Sequence, residues 1–152
     1  MRDNNNQRER DNEFVERVIQ IKRVSKKTSG GNTISFAALV VVGDMKGQVG
    51  VGYGKARDVS TAIAKGIGSA KKSLVKVPIN NGTISHEIED SYGSAHVLLK
   101  PSSQGAGVIA GGTVRIVVEL AGIKDISAKM LGSSNKICNI RCTINALSKL
   151  KK

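Results

Sequence analysis

The sequence predicts an α+β protein made of two small domains. Three features carry that expectation: apolar residues that alternate or run continuously through two β-branched segments before residue 45, a change to helical spacing after Asp58, and a break in charge and turn chemistry near residues 77–82. A chain of 152 residues suits one or two domains, and 39% hydrophobic residues suffice for a core built from Val, Ile, Leu and Ala.

The elements follow in order. Residues 1–13 mix Arg with acids and hold no apolar run, so they read as a disordered leader, with neither a signal peptide nor a transit peptide visible. Phe14–Val24 alternates loosely, with Val15, Ile19 and Ile21 set against Glu16, Gln20 and Lys22, as a half-buried strand does. Lys26 to Asn32 is a glycine hairpin tip loaded with charge. Thr33–Val42 is β-branched and continuous, a strand buried over much of its length, and residues 43–47 form a turn. Gln48–Tyr53 places Val49, Val51 and Tyr53 on one face and Gly50 and Gly52 on the other. From Asp58, a plausible N-cap, Val59, Ile63, Ile67, Ala70 and Leu74 form one helical stripe. The first domain therefore spans 14–77 as three antiparallel strands and a helix. Pro78 and the turn signal Asn80-Asn81-Gly82 separate it from a second domain at 82–150.

The second block is less regular. Thr83–Ile88 and Ala95–Leu99 read as short strands, Pro101 opens a loop, and Gly105–Gly112 reads as a brief helix. Val114–Leu120 reads as a strand, Ile126–Leu131 as a helical turn, and Ile137–Leu150 as a helix.

The formal charge is +12, and it is unevenly spread. Residues 21–76 carry 11 basic and 2 acidic side chains, residues 77–98 carry none and 3, and residues 99–152 carry 9 and 2. A polyanionic partner explains such clustering better than solubility alone. No stretch approaches the ~20 apolar residues of a membrane span, so no membrane partner is expected.

Enzymatic and metal chemistry find little to stand on. His86 and His96 lie in separate segments, and Cys138 and Cys142 sit one helical turn apart without the two further ligands zinc requires. They read as core or surface thiols. Glu87, Glu89 and Asp90 fit a solvated edge strand. Two glycine runs imitate phosphate loops. Gly50 to Gly54 lies in and just past a strand, where glycines admit a close backbone neighbour. Gly105-Ala-Gly107-Val-Ile-Ala110 lacks a strand leading straight into it, and no Walker lysine follows either run. No metal, cofactor or catalysis is expected.

Nucleic acid fits the basic residues. Lys22, Arg23, Ser25, Lys26 and Lys27 precede a tip of Gly30, Gly31 and Asn32. Gly52, Tyr53, Gly54, Lys55 and Arg57 form a glycine loop, followed by Lys65, Lys71 and Lys72 on its helix. Amides and flexible cations suit phosphates. With aromatics at 3%, a stacking platform is not expected, and folded RNA read through its backbone fits better.

Ordered motifs sharpen this reading. Val41-Val-Gly-Asp44 and Gly47-Gln-Val-Gly-Val-Gly-Tyr-Gly-Lys-Ala-Arg-Asp-Val59 resemble the signature of the small-subunit ribosomal protein S-five family. Arg23-Val-Ser-Lys26, Asn80-Asn-Gly-Thr83, Gly105 to Gly112, Glu119-Leu-Ala-Gly-Ile123, Gly132-Ser-Ser-Asn135 and Arg141-Cys-Thr143 follow in the family's order. The sequence departs from that pattern at Ser29 and Asn32, where basic residues are frequent, and at Lys136, where proline is common. The resemblance implies an N-terminal domain similar to a double-stranded-RNA-binding domain and a C-terminal βα domain with a left-handed βαβ crossover. It also implies a non-enzymatic role at the head–body junction of the small subunit, on ribosomes of bacterial-cytoplasmic or organellar type. Partners implied are 16S-type rRNA, the proteins S-four and S-eight, and mRNA near the path by which it enters. The implied assignments are the Arg23–Asn32 hairpin as an rRNA-facing loop, and Gly107 and Arg115 as contacts to a neighbouring protein. The second domain's fold is shared with small-molecule kinases, but no Ser-Ser run follows Gly105–Gly112 to complete their phosphate loop.

Overall fold

In the computed structural model, residues 14–151 are described, and the expected leader at 1–13 lies outside them. The first sheet has the order β1-β2-β3-β4, from β1 (Val15–Thr28), β2 (Gly31–Gly43), β3 (Gln48–Ala56) and β4 (Val75–Lys76), all antiparallel. The two-residue β4 had no sequence signal. Helix α1 (Val59–Lys72) lies across β3 and β2, burying Ala62, Gly66 and Ala70. Asp58 takes the N-cap position, but its side chain makes no capping bond; its carbonyl receives the Ala62 N–H at 3.0 Å.

The second sheet has the order β5-β6-β8-β7, from β5 (Ile88–Tyr92), β6 (Ala95–Pro101), β7 (Val108–Ile109) and β8 (Ile126–Met130). Helix α2 (Gly112–Ala121) connects the parallel pair β7 and β8, and α3 (Lys136–Ser148) packs on β5 and β6.

Four expectations for this block are corrected. Val114–Leu120 is helix, not strand: the buried Val114, Val117, Val118 and Ala121 fall at helical spacing, and tertiary burial overrides their β-branching. Gly122, at φ 91°, ends the helix in the left-handed region. Ile126–Met130 is strand, with Ile126 and Ala128 buried and Lys129 exposed between β6 and β7. Gly105–Gly112 is not a helix, because Gly105 and Gly107 adopt positive φ, leaving only Val108–Ile109 to pair with β8. The strand expected at Thr83–Ile88 starts only at Ile88. Before it, Asn80 and Thr83 bracket a tight turn with Asn81 at φ 49° and Gly82 at φ 82°.

The two domains share one core. The face of β2 that carries Leu39 and Val41 joins Val49 of β3, Val97, Leu99, Val117 and Leu120 in one cluster. The opposite face, Ala38, Val40 and Val42, packs under α1 with Ala62 and Ala70. Burial on both faces explains the unbroken hydrophobic run of β2. The turn after β2 docks directly on the end of α2, through Met45 N–H to Leu120 O at 3.0 Å and Gly47 N–H to Ala121 O at 2.9 Å. A Cβ on Gly43 would sit 2.2 Å from the Leu120 carbonyl oxygen, so only glycine fits there.

Candidate nucleic-acid interface

Beyond the last pairing of β2 with β3, at Phe36 and Ala56, β1 and β2 continue as a two-stranded arm from Val24 and Ser35 to Thr28 and Gly31. Five residues per strand at ~3.4 Å give the arm a reach of roughly 17 Å. Gly31, at φ 122°, closes the tip, and the Thr28 hydroxyl donates to the Gly31 carbonyl at 2.7 Å. Lys22, Arg23, Ser25, Lys26, Lys27, Gly30, Gly31 and Asn32 are all exposed, as expected. Strand alternation sorts them: Lys22 and Lys26 lie on one face, Arg23, Ser25 and Lys27 on the other. Both faces of the arm therefore carry cations.

The glycine run of β3 divides differently. Gly50, Gly52 and Gly54 turn toward α1, and a Cβ on Gly52 would lie 1.9 Å from Gly66 O, one on Gly54 2.1 Å from Ala62 O. Their backbone is the floor on which the helix rests, so Gly52 and Gly54 are buried and leave the accessible surface expected of them. Tyr53, Lys55 and Arg57 remain exposed. On α1, Lys65 and Lys72 point outward, whereas Lys71 is half-buried and pairs with Glu16 at 3.3 Å.

Where the domains meet, Gln20, Lys22, Ser133, Ser134, Asn135 and Lys136 line a cleft of about 380 Å³. Its far wall is the start of α3, which Asn135 caps by accepting the Ile137 N–H at 3.1 Å. Ser133 Oγ accepts the Asn135 N–H at 3.2 Å, and Ser133 N–H donates to Ser94 O at 2.9 Å. In the sequence Gly132-Ser-Ser-Asn135 stands out as a family motif, and its cap signal just before a helix also marks it as a positioned loop.

The second glycine run carries its own anion. Asp125, 6% exposed, accepts the N–H groups of Gly105 at 3.1 Å and Gly107 at 2.8 Å. The amides that would cradle a phosphate are already engaged, which removes the nucleotide-loop resemblance. Arg115 holds the same segment by donating to Val108 O at 2.7 Å, and Glu119 takes Arg115 at 3.6 Å and Arg17 of β1 at 3.1 Å. Gly107 and Arg115 thus shape one surface of the second domain.

His96 pairs with Glu89 across β5 and β6, and His86 accepts the Lys151 N–H at 3.1 Å from a loop rather than a strand. Cys142 is buried and donates to Asp90 O at 3.1 Å; burial, with the Asp90 charge beside it, pushes its thiol pKa up. Among the described residues no group of three or more His, Cys, Asp or Glu side chains could hold a metal ion, and no helix is long and apolar enough to cross a membrane.

A small basic α+β protein with a cationic arm and a shared two-sheet core has the character of a ribonucleoprotein constituent. Residues 14–78 match the family model "Ribosomal protein S5, N-terminal domain" and residues 90–152 match "Ribosomal protein S5, C-terminal domain". The chain belongs to this family, whose members are structural, non-enzymatic proteins of the small ribosomal subunit. It is 54% identical to "Small ribosomal subunit protein uS5c" of Cyanidium caldarium over 90% of this chain and 82% of that protein. The uS5c of Emiliania huxleyi is 51% identical over 96% and 94% respectively. The uS5 of Gloeobacter violaceus is 54% identical over 91% of this chain and 63% of its own. Relatives of both names agree with a ribosome of organellar or bacterial-cytoplasmic type.

Proposed function

We propose that this protein binds 16S-type rRNA through the β1–β2 arm, and through that contact supports assembly of the small subunit at the head–body junction. The observation that carries the reading is the arm itself. Two strands without a third are marginally stable alone, yet these extend past the sheet with cations on both faces. RNA phosphates on either side would neutralise those charges and hold the ribbon in place. Lys55, Arg57, Lys65 and Lys72 extend the cationic surface along β3 and α1. Family membership supports, as further parts of this proposal, that the surface shaped by Gly107 and Arg115 faces S-four, that S-eight is a second protein neighbour, and that the molecule lines part of the mRNA path and influences accuracy.

Sedimentation through low-magnesium sucrose gradients tests this. The protein should migrate with small-subunit particles, and changing Lys26 and Lys27 together to Ala should leave a large share at the top of the gradient. Equal incorporation of the double variant would contradict an arm-dependent attachment.

A further inference from the structure

The arm explains phosphate contacts, but it leaves Tyr53 unaccounted for. Tyr53 is 47% exposed on a sheet face whose next residue across, Leu39, is 3% exposed and part of the core. The register places Tyr53 in one row with Leu39 and Gln20, and Lys55 in the adjacent row with Ala37 and Lys22. The ring therefore lies beside two lysines on one face, next to the interdomain cleft that Gln20 and Lys22 share with Lys136. Lys22, Lys55 and Lys136 have no acidic partner among the described residues.

We infer that the surface joining Tyr53 to this cleft holds a single unpaired RNA nucleotide, its base stacked on Tyr53 and its phosphates against Lys22, Lys55 and Lys136. The inference rests on the RNA-binding reading above and adds to it a second mode of contact, through a base. The cleft, about 380 Å³, is lined by Gln20, Lys22 and Ser133 to Lys136 and not by Tyr53, so it takes the sugar and phosphate while the base lies on the exposed ring beside it. Bases inside a duplex cover one another, so only an unstacked base offers a face to the ring. The wall opposite is preformed: the Ser133–Asn135 backbone is fixed by its own hydrogen bonds, so little ordering is left for binding. One exposed aromatic makes a one-base site, in keeping with a chain too poor in aromatics for a platform.

The test uses the full chain with two probes, a single-stranded RNA hexamer of mixed sequence and a blunt RNA duplex. Tyr53→Ala should weaken hexamer binding roughly 5- to 150-fold, the range of one stacked base, and leave duplex binding unchanged. Tyr53→Phe should retain hexamer affinity, since the ring and not the hydroxyl carries the contact. Lys136→Ala should weaken hexamer binding and flatten its salt slope by about 0.7. Hexamer affinity unaltered in Tyr53→Ala, or lost equally in Tyr53→Phe, overturns the stacking site. If the duplex still depends on Lys26 and Lys27 in that case, the arm reading stands alone. Ultraviolet cross-linking in small-subunit particles then separates the sources: a Tyr53 adduct formed without mRNA assigns the nucleotide to rRNA, and one formed only with mRNA assigns it to the message. Absence of an adduct in both arms counts against the site.

Discussion

Asp125 shows how one residue can decide what a glycine-rich segment is for. Its carboxylate takes the Gly105 and Gly107 amides, while its own N–H and that of Lys124 bind the Gly82 carbonyl, at 3.0 and 2.8 Å. It ties the interdomain turn, the glycine loop and the start of β8 together. Hydrogen bonds to a charged acceptor contribute ~1.5–3 kcal/mol each, so losing both in Asp125→Ala should cost about 3–6 kcal/mol. Urea unfolding measures that loss, and faster exchange of the Gly105 and Gly107 amides locates it. Unchanged exchange at those two amides would mean that the loop holds its shape without the acid. None of this is visible in the sequence, because Asp125 reaches its partners across 18 and 20 residues.

At the scale of elements, the packing of α1 on β3 depends on glycine against glycine. Gly52 and Gly66 meet where a single Cβ would stand 1.9 Å from a backbone oxygen, so Gly52→Ala must displace the helix. Overpacking of that kind costs ~1–3 kcal/mol, and a lower melting temperature should report it. Gly68, in the same helix but with nothing within 4 Å of its Cβ position, provides the opposite case. Gly68→Ala should stabilise by about 0.5–1 kcal/mol through helix propensity alone. A stable Gly52→Ala would refute the close contact.

These elements also show which signals a sequence carries. β1, β3, α1 and α3 were legible because period two and period 3.6 are local, and β2 because its β-branched run is unbroken, although Val15 and Ile21 of β1, expected on its half-buried side, are exposed on either side of a register shift between Val18 and Gln20. The cationic arm was legible because its charges flank one turn. β8 and α2 were misread because the periodicity of a short apolar run does not separate a buried helix from a strand, and burial here comes from partners far along the chain. Gly52 and Gly54 were assigned to RNA because alternation shows a bare face without showing what covers it. The cleft was missed because Lys22 and Lys136 belong to different domains.

For the whole molecule, the continuous core makes a testable claim. Leu39, Val41 and Val49 of the first sheet pack with Val117 and Leu120 of the second domain, and main-chain bonds fasten the 43–47 turn to α2. The two sheets should therefore unfold together, with one calorimetric transition whose van't Hoff and calorimetric enthalpies agree. Two separated transitions would show that the domains fold independently. The function we propose lies outside that core, on an arm whose cations are expected to contribute little to stability and much to attachment.

The salt dependence of rRNA-fragment binding tests that placement most directly. Each phosphate neutralised contributes roughly −0.9 to the slope of log K against log salt on a duplex, or about −0.7 on a single strand. Changing Lys26 and Lys27 together to Ala should weaken binding and flatten the slope by about one to two units. The melting temperature should hardly move, since substitutions at exposed positions stay within about 0.5 kcal/mol. An unchanged slope would mean that the arm does not touch phosphates, and a collapsed melting temperature would mean that its lysines serve the fold instead.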